Sequence, residues 1–525
     1  MAELLIPYVA ARPGDAALTD ERGVTTWREL NTRVNRLIGA LRGLGLEVGD
    51  TIAILSGNRR EYFELMAAAG HAGIRYVLVN WHWTAEELRY VLADSGARAL
   101  FAEDAFAEPA TAATATAVGV ARVSIGGPIP GFTPYEEFVA SAPPAAGAGE
   151  PAGQVMGAPM IYTSGTTGRP KGVKRKRVAP GSPLATMKAL SRALGEILLI
   201  PEGGRSLLVG PVYHSAQYAW SYILLCAGRS VIMRRRFDPA ETLRLIDACA
   251  ITNIHLVPTQ FVRLLRLPAE TRGAFDGSSL RAVWHGAAPC SPEIKRRMIE
   301  WWGPVIHEYY GSTESAINTV VTAGEWLARP GTVGRPLPTC EVHVLREDGT
   351  AAATGEPGRL WFRYTTGDDV EYHGDPDKTA SIHRPDGLFT TGDIGYFDDD
   401  GYLYLADRAI DMIISGGVNI YPAEIEGVLI THPAVRDVAV FGIPDEEFGE
   451  QVKAAVQLAD GWPPSAGLTA ELIAHCRAVL AGYKAPKTVD YVPDLPRTPT
   501  GKLYKRLLRE PYWADAAQPV RPRQW

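Results

Sequence analysis

Residues 162–172 read Tyr-Thr-Ser-Gly-Thr-Thr-Gly-Arg-Pro-Lys-Gly. Gly165, Gly168 and Gly172 let the backbone come close to an anion. The hydroxyls of Thr163, Ser164, Thr166 and Thr167, with exposed backbone N–H groups, can donate hydrogen bonds to phosphate, and Lys171 adds positive charge. The spacing is not that of the GxxxxGK[ST] phosphate loop. A solvent-exposed turn is the bland reading of any short Gly/Ser/Thr string. This eleven-residue string, behind the apolar pair Met160-Ile161, favours a phosphate-binding loop.

Further strings follow in order. They are Gly286-Ala287-Ala288-Pro289, Tyr310-Gly311-Ser312-Thr313-Glu314, Thr391-Gly392-Asp393, Asp407-Arg408, residues 415–426 (Ser-Gly-Gly-Val-Asn-Ile-Tyr-Pro-Ala-Glu-Ile-Glu) and Pro499-Thr500-Gly501-Lys502. Together with the first loop, and over nearly the whole chain, they resemble the adenylate-forming superfamily of acyl- and aryl-CoA synthetases, luciferases and peptide-synthetase adenylation domains. The details are most similar to bacterial fatty- and aryl-acyl-CoA synthetases.

The resemblance implies ATP-dependent acid–thiol ligation with Mg²⁺ as cofactor and CoA as co-substrate. A carboxylate attacks the α-phosphorus of ATP, so two anions must meet, and positive charge must offset their repulsion. By resemblance, Thr166 and Glu314 hold Mg²⁺, a hard cation suited to carboxylate oxygen. Thr163, Ser164, Gly165, Thr167, Gly168 and Lys171 cradle phosphate, Thr313 contacts the α-phosphate, and Gly311 and Ser312 belong to the ATP site. Tyr310 and the Gly286–Pro289 turn line the adenine. Asp393, acceptor-only when ionised, takes the ribose hydroxyls, and Arg408 adds a cation. Lys502 bridges the acid carboxylate and the α-phosphate. Asp407 is the hinge about which a C-terminal domain alternates, first inserting Lys502 and then bringing Ser415, Gly416 and Gly417 to the thiol path. His214 flanks the substrate carboxylate. Tyr213, Gln217, Tyr218, His285, Tyr309, Ala316 and Ile317 are candidates for the acid pocket, against ordinary core packing.

Some relatives carry a lysine shortly after the hinge arginine, where this chain has Ala409-Ile410-Asp411. The basic run Lys174-Arg175-Lys176-Arg177 reads first as a solvated loop. Arg234-Arg235-Arg236 is a weak candidate for a CoA phosphate. His285 belongs to no metal-ligand spacing.

Other readings stay open beside acyl-CoA ligation. A carrier-protein phosphopantetheine or a nitrogen nucleophile could replace CoA without changing the ATP motifs. The joint presence of Thr166, Glu314, Asp393, Arg408 and Lys502 argues against a non-catalytic binder. Two short basic runs on a chain of net charge −6 argue against nucleic acid. Tyr213, Tyr218, Trp220 and Tyr222 suit an aryl or medium-sized acid, and a fatty acid also fits. The resemblance is compatible with a homodimer.

The elements that must position these residues come next. The chain has 525 residues, 46% hydrophobic and 21% charged, which suits a globular protein of two or more domains. Cys226, Cys249, Cys290, Cys340 and Cys476 are scattered without a CxxC pair, as expected of a cytoplasmic protein. No signal-peptide pattern and no run of about 18 apolar residues stands out. Thr26 with Glu29, and Thr84 with Glu87, read as capping boxes. Leu30, Val34, Leu37, Ile38, Leu41 and Leu44 repeat at helical spacing up to Gly45, and a further helix starts at Arg59. Thr51–Leu55 and Tyr76–Val79 read as strands, so helices and strands alternate as in βαβ units. Glu108–Gly157, rich in Ala, Gly and Pro, reads in part as surface connection. The expectation is an α/β protein with a large N-terminal adenylation domain with parallel-rich sheets, 1–406, and a small mobile C-terminal α/β domain, 407–525. In the latter, Val438–Gly442 and Val452–Val456 read as strands and Ala470–Leu480 as a helix.

Overall fold

In the computed structural model the structure describes residues 2–142, 155–164, 169–408, 411–415, 418–445, 447–497 and 503–514. The two capping boxes form as expected. Thr26 and Thr84 accept from the backbone N–H groups of Glu29 and Glu87, whose carboxylates reach back. They start helices Trp27–Gly43 and Ala85–Ser95. Leu30, Val34, Leu37, Ile38 and Leu41 form the buried stripe of the first. Gly73 and Gly96 end their helices at positive φ, where a Cβ would be strained.

Among the described residues the strands form three sheets. The eight-stranded sheet contains Thr51–Leu55, Arg75–Leu78, Ala97–Glu103 and Pro159–Ser164 as parallel neighbours. All five residues of Thr51–Leu55 are buried, the signature of a parallel strand covered on both faces. Its edge turns antiparallel, with Pro170–Arg175 pairing with Pro159–Ser164 and then with Val370–Tyr372. The thirteen-stranded sheet is parallel from Ala16–Asp20 through Ser230–Met233, Arg205–Leu208, Asn253–Leu256 and Ala282–His285 to Ile306–Ser312. Beyond that strand it continues antiparallel.

Leu403–Arg408 belongs to this large sheet, with Asp407 opposite Ile394 and Arg408 opposite Asp393. The third sheet begins with the hairpin Ile413–Ser415/Val418–Ile420. Its long strands Val435–Asp445 and Gly449–Leu458 extend the two expected ones, and helix Ala466–Val479 matches the expected helix. This C-terminal unit has its own core, including Ile413, Ile425, Leu429, Val440, Val456 and Leu472. Arg266 Nη2 donates to Val435 O (2.6 Å) and Ser291 Oγ to Gly427 O (3.1 Å), tying it to the large sheet's helices.

Within Glu108–Gly157, which reads in part as surface connection, the structure also places regular elements: helix Ala107–Thr114 runs into it, strand Ala121–Ile125 joins the eight-stranded sheet, and helix Tyr135–Ala140 buries Tyr135, Phe138 and Val139. Residues 143–154 lie outside the described residues.

Candidate active site

The glycine- and hydroxyl-rich string lies on a hairpin. Thr163 faces Lys171 and Ser164 faces Pro170 in antiparallel register. Gly165, Thr166, Thr167 and Gly168, between the two strands in sequence, lie outside the described residues. Lys171 Nζ is 3.3 Å from Asp375 Oδ2 and 5.8 Å from the centroid of the Tyr372 ring. Arg175, at the far end of the strand, donates to Glu314 O (2.5 Å) and to Asp368 Oδ2 (2.5 Å), and lies over the Tyr364 ring. The basic run is therefore a solvated loop only in its second half, where Lys176 and Arg177 are exposed beyond the strand: strand pairing turns Arg175 inward as a brace for the Glu314 loop, and Lys174 lies 3.8 Å from Glu371. Thr313, Arg175, Val173 and Ile161 line a cavity of about 50 Å³ between the hairpin and that loop.

The Tyr310–Glu314 string ends strand Ile306–Ser312 and the turn behind it. Tyr310 Oη donates to Asp393 Oδ2 (2.6 Å), as does Thr391 Oγ1 (2.7 Å). The pairing with Ala316–Val321 shifts register between Tyr310 and Gly311. Ala316 stands there at φ 49°, paired with Ser312, while Gly311 opposes Ile317. A methyl group at Gly311 would overlap the Ala316 carbonyl oxygen. Ser312 and Ser315 exchange hydrogen bonds through Ser312 Oγ and Ser315 Oγ, and Tyr364 Oη donates to Ser315 O. Tyr372 Oη donates to Glu314 Oε1 (3.2 Å). The loop is thus held by side chains from 364–375 and from the hairpin. Such non-glycine positive φ persists only where the surroundings enforce it.

The Gly286–Pro289 turn follows strand Ala282–His285. Ala287 adopts φ 66°. A Cβ at Gly286 would come within 2.6 Å of the Tyr309 ring, so Tyr309 covers this turn. His285 is fully buried, and its Nε2 stands 3.4 Å from Glu308 Oε2 without a hydrogen bond. Burial first, and the Lys295 cation second, push its pKa far below the usual range and keep it neutral. Lys295 Nζ donates to Glu308 Oε2 (2.6 Å) in the interior. His285 is therefore a core residue behind the turn.

Ser215 Oγ and Thr313 Oγ1 are 3.1 Å apart, which brings the segment carrying His214 to the end of the Tyr310–Glu314 string. His214 caps helix Ser215–Tyr218 and its ring lies 4.4 Å from that of Tyr213. Burial first, and Tyr504, two positions past Lys502, second, push the Tyr213 pKa well above its usual value. Buried Asn58 anchors this segment, donating to Gly210 O (2.8 Å) and accepting from Val212 N (3.0 Å). Residues 219–223 wind as a π-helix. Trp220 in that turn packs 4.7 Å from Tyr309, and Tyr309 Oη, His255 and Gln217 form one hydrogen-bonded chain. Tyr218 is instead buried in a tyrosine cluster, its Oη 2.6 Å from that of Tyr76. Ile317 pairs with Gly311.

Other expected residues fall elsewhere. Lys502 and Gly416–Gly417 lie outside the described residues. Arg497 and Leu503, the described residues on either side of the stretch that holds Lys502, pair in an antiparallel bridge. Ser415 pairs with Val418 and Gly449 in the third sheet. Of the triplet Arg234-Arg235-Arg236, Arg234 pairs with Glu241 and Arg235 with buried Glu103. The pocket of about 500 Å³ beside Tyr372 carries Asp369, Glu371 and Asp375, an electronegative wall unsuited to phosphate. No motif string marks Tyr372, Asp375, Asn58 or His255 as site residues, and Arg175 stands out in the sequence only as part of a basic run; each acts through a partner distant in sequence.

A phosphate-type hairpin facing a carboxylate loop, at the junction of two large α/β sheets, defines a nucleotide-binding enzyme of the adenylate-forming type. Residues 8–366 match the AMP-binding enzyme family and residues 424–502 the AMP-binding enzyme C-terminal domain; the chain belongs to this family. It is 33% identical to the fatty acid–[acyl-carrier-protein] ligase ScoC of Streptomyces coeruleorubidus, over 97% of this chain and 95% of that protein. It is 34% identical to a feruloyl-CoA synthase of Amycolatopsis sp, over 95% of each. Its fold is similar to that of the amide bond synthetase McbA from Marinactinospora thermotolerans, with TM-score 0.81, 28% identity and coverage of 98% and 100%. No helix among the described residues is long and apolar enough to cross a membrane, and the five cysteines are free thiols.

Proposed function

We propose that this protein is an ATP-dependent acyl-CoA ligase. A carboxylate oxygen of the acid attacks the α-phosphorus of ATP, forming an acyl-adenylate as the bond to pyrophosphate breaks. The sulfur of CoA then attacks the acyl carbon, the bond to AMP breaks, and the thiol proton is released. The observation that carries this reading is the convergence of Lys171, Glu314 and Thr313 with the Ser215–His214 segment, within a chain of the AMP-binding enzyme family.

In this reading Lys171 and the hairpin turn with Gly165, Thr166, Thr167 and Gly168 hold the phosphates, and Asp393 takes the ribose. Tyr310 and the Gly286–Pro289 turn border the adenine. His214, with Tyr213 above it, faces the acid carboxylate. Tyr309, Gln217 and Ile317 wall the acid. Lys502 enters beside Tyr213 during adenylation. Residues 1–406 form the adenylation domain and 407–525 the domain that turns about Asp407, carrying Arg408 and the Ser415–Gly417 loop. Mg²⁺ is commonly held by one or two carboxylates plus substrate phosphates rather than by a protein cage. Glu314 fits that donor set, with the Thr166 hydroxyl, and no group of three or more His, Cys, Asp or Glu among the described residues offers a cage. When bound, the ion would offset the charge between phosphate and the incoming carboxylate.

A second reading, transfer to a carrier-protein thiol or to nitrogen, is favoured by similarity to ScoC and to the amide bond synthetase. ATP–pyrophosphate exchange against a panel of fatty, benzoic, cinnamic and amino-substituted aromatic acids, with products identified by mass, tests both. Acid-dependent exchange with an acyl-CoA product is expected. Exchange without any CoA thioester moves the acceptor to the second reading.

A further inference from the structure

Glu314 and Lys171 come from different sheets, and one side chain touches both. Tyr372 ends the edge strand Val370–Tyr372, paired in register opposite Val173 of the phosphate hairpin. Its Oη donates to Glu314 Oε1 (3.2 Å) and its ring lies beneath Lys171 Nζ (5.8 Å). Its own backbone is fixed, because its N–H donates to Thr379 Oγ1 (2.9 Å) on helix Pro376–Ser381. Asp375 caps that helix through Oδ1, accepting from Lys378 N (2.9 Å), and holds Lys171 through Oδ2 (3.3 Å). The Glu314 backbone is anchored separately by Arg175. What remains to be fixed is the Glu314 carboxylate, and Tyr372 contacts it.

We infer that Tyr372 is a positioning residue that aims the Glu314 carboxylate with its hydroxyl and seats Lys171 with its ring, so that the two halves of the nucleotide site are set together before ATP arrives. This rests on the nucleotide-binding reading of the site. A side chain ordered in advance forfeits less entropy on binding. The hydroxyl and the ring have separable consequences: the hydroxyl acts on the carboxylate that meets the metal, the ring on the lysine that meets phosphate directly.

The test is calorimetric titration of ATP into the wild type and into Tyr372→Phe, Tyr372→Leu, Glu314→Gln and the Tyr372→Phe/Glu314→Gln double variant. Each is run with Mg²⁺ and with chelator, and folding is checked by the thermal midpoint. Tyr372→Phe is expected to bind ATP as the wild type does in chelator and to lose roughly 3- to 10-fold with Mg²⁺. Tyr372→Leu is expected to lose a further few-fold under both conditions. In the Glu314→Gln background the Tyr372→Phe effect should vanish. Equal affinity of Tyr372→Phe and wild type at every Mg²⁺ concentration overturns the inference, as does an equal loss with and without Mg²⁺. The expected pattern without acid-dependent exchange by the wild type would sink acid activation and leave the Tyr372 assignment standing. Absence of ATP binding by the wild type overturns both.

Discussion

Tyr310 and Asp393 stand 83 positions apart, and the phenol of one donates to the carboxylate of the other at 2.6 Å, both side chains nearly buried. The bond joins the end of strand Ile306–Ser312 to the start of strand Asp393–Phe397. It fixes one oxygen of the group proposed to receive the ribose. A hydrogen bond to a charged group contributes about 1.5–3 kcal/mol. Thr391 holds the same oxygen and limits the loss. Tyr310→Phe is therefore expected to raise the KM for ATP in pyrophosphate exchange about tenfold, at the lower end of that range. Asp393→Ala should cost more. An unchanged KM in Tyr310→Phe would remove the tyrosine from the nucleotide site.

Gly311 admits no side chain, because the Ala316 carbonyl lies where a Cβ would go and Ala316 already carries a positive φ. Gly311→Ala must push the two strands apart or undo the register shift. The expected loss is about 1–3 kcal/mol or more, read as a lower denaturant midpoint. Gly324, on helix Ala323–Ala328 with open space around it, is the control. There the same substitution should be neutral or stabilise by up to about 1 kcal/mol. Equal effects at both positions would refute the steric account.

Local rules made the first hundred residues legible. The capping boxes at Thr26 and Thr84 each span four residues, and the strand at Thr51 declares itself by an unbroken apolar run. The motif strings were legible for a similar reason, being contiguous. What composition hid was helix Tyr135–Ala140 and the alanines at 110 and 113, small side chains that pack as core while resembling linker. What no string could reveal were residues defined by distant partners. Arg175 reaches Glu314 across 139 positions, Asn58 reaches Val212 across 154, and Tyr372 reaches Glu314 across 58. Arg175 read as solvated because its charge was visible in the sequence and its strand partner was not.

Burial first, and the phenol of Tyr504 in the C-terminal unit second, push the Tyr213 pKa up, so the chain just past Lys502 lies within electrostatic reach of the segment holding His214. A lysine entering there would meet the acid carboxylate and the α-phosphate together. Lys502→Ala is expected to lower acid-dependent exchange by at least about 100-fold, in line with loss of a preorganised charge. Thioester formation from synthetic acyl-adenylate and CoA should stay within a few-fold of wild type. Equal loss in both assays would refute a role confined to adenylation.

Buried histidines, His285 among them, make stability depend on pH. Burial depresses His255 to about 3, and His71 and His307 to about 4. An unfolded histidine titrates near 6.5, so between pH 6.5 and 4 the unfolded chain binds more protons than the folded one. Folding stability must therefore fall as the pH drops through that window, by about 2 kcal/mol per histidine at pH 5, and be independent of these groups above pH 7. His255 offers the cleanest test, since its two ring nitrogens lie within 3.1 Å of Gln217 and Tyr309 inside the core. His255→Gln should lose stability at pH 7, where the hydrogen bonds are broken or lengthened, yet show a shallower fall between pH 7 and pH 5 than the wild type. Denaturant midpoints at the two pH values measure this directly. Parallel pH slopes would mean that His255 is protonated in the folded protein and that burial does not hold it neutral.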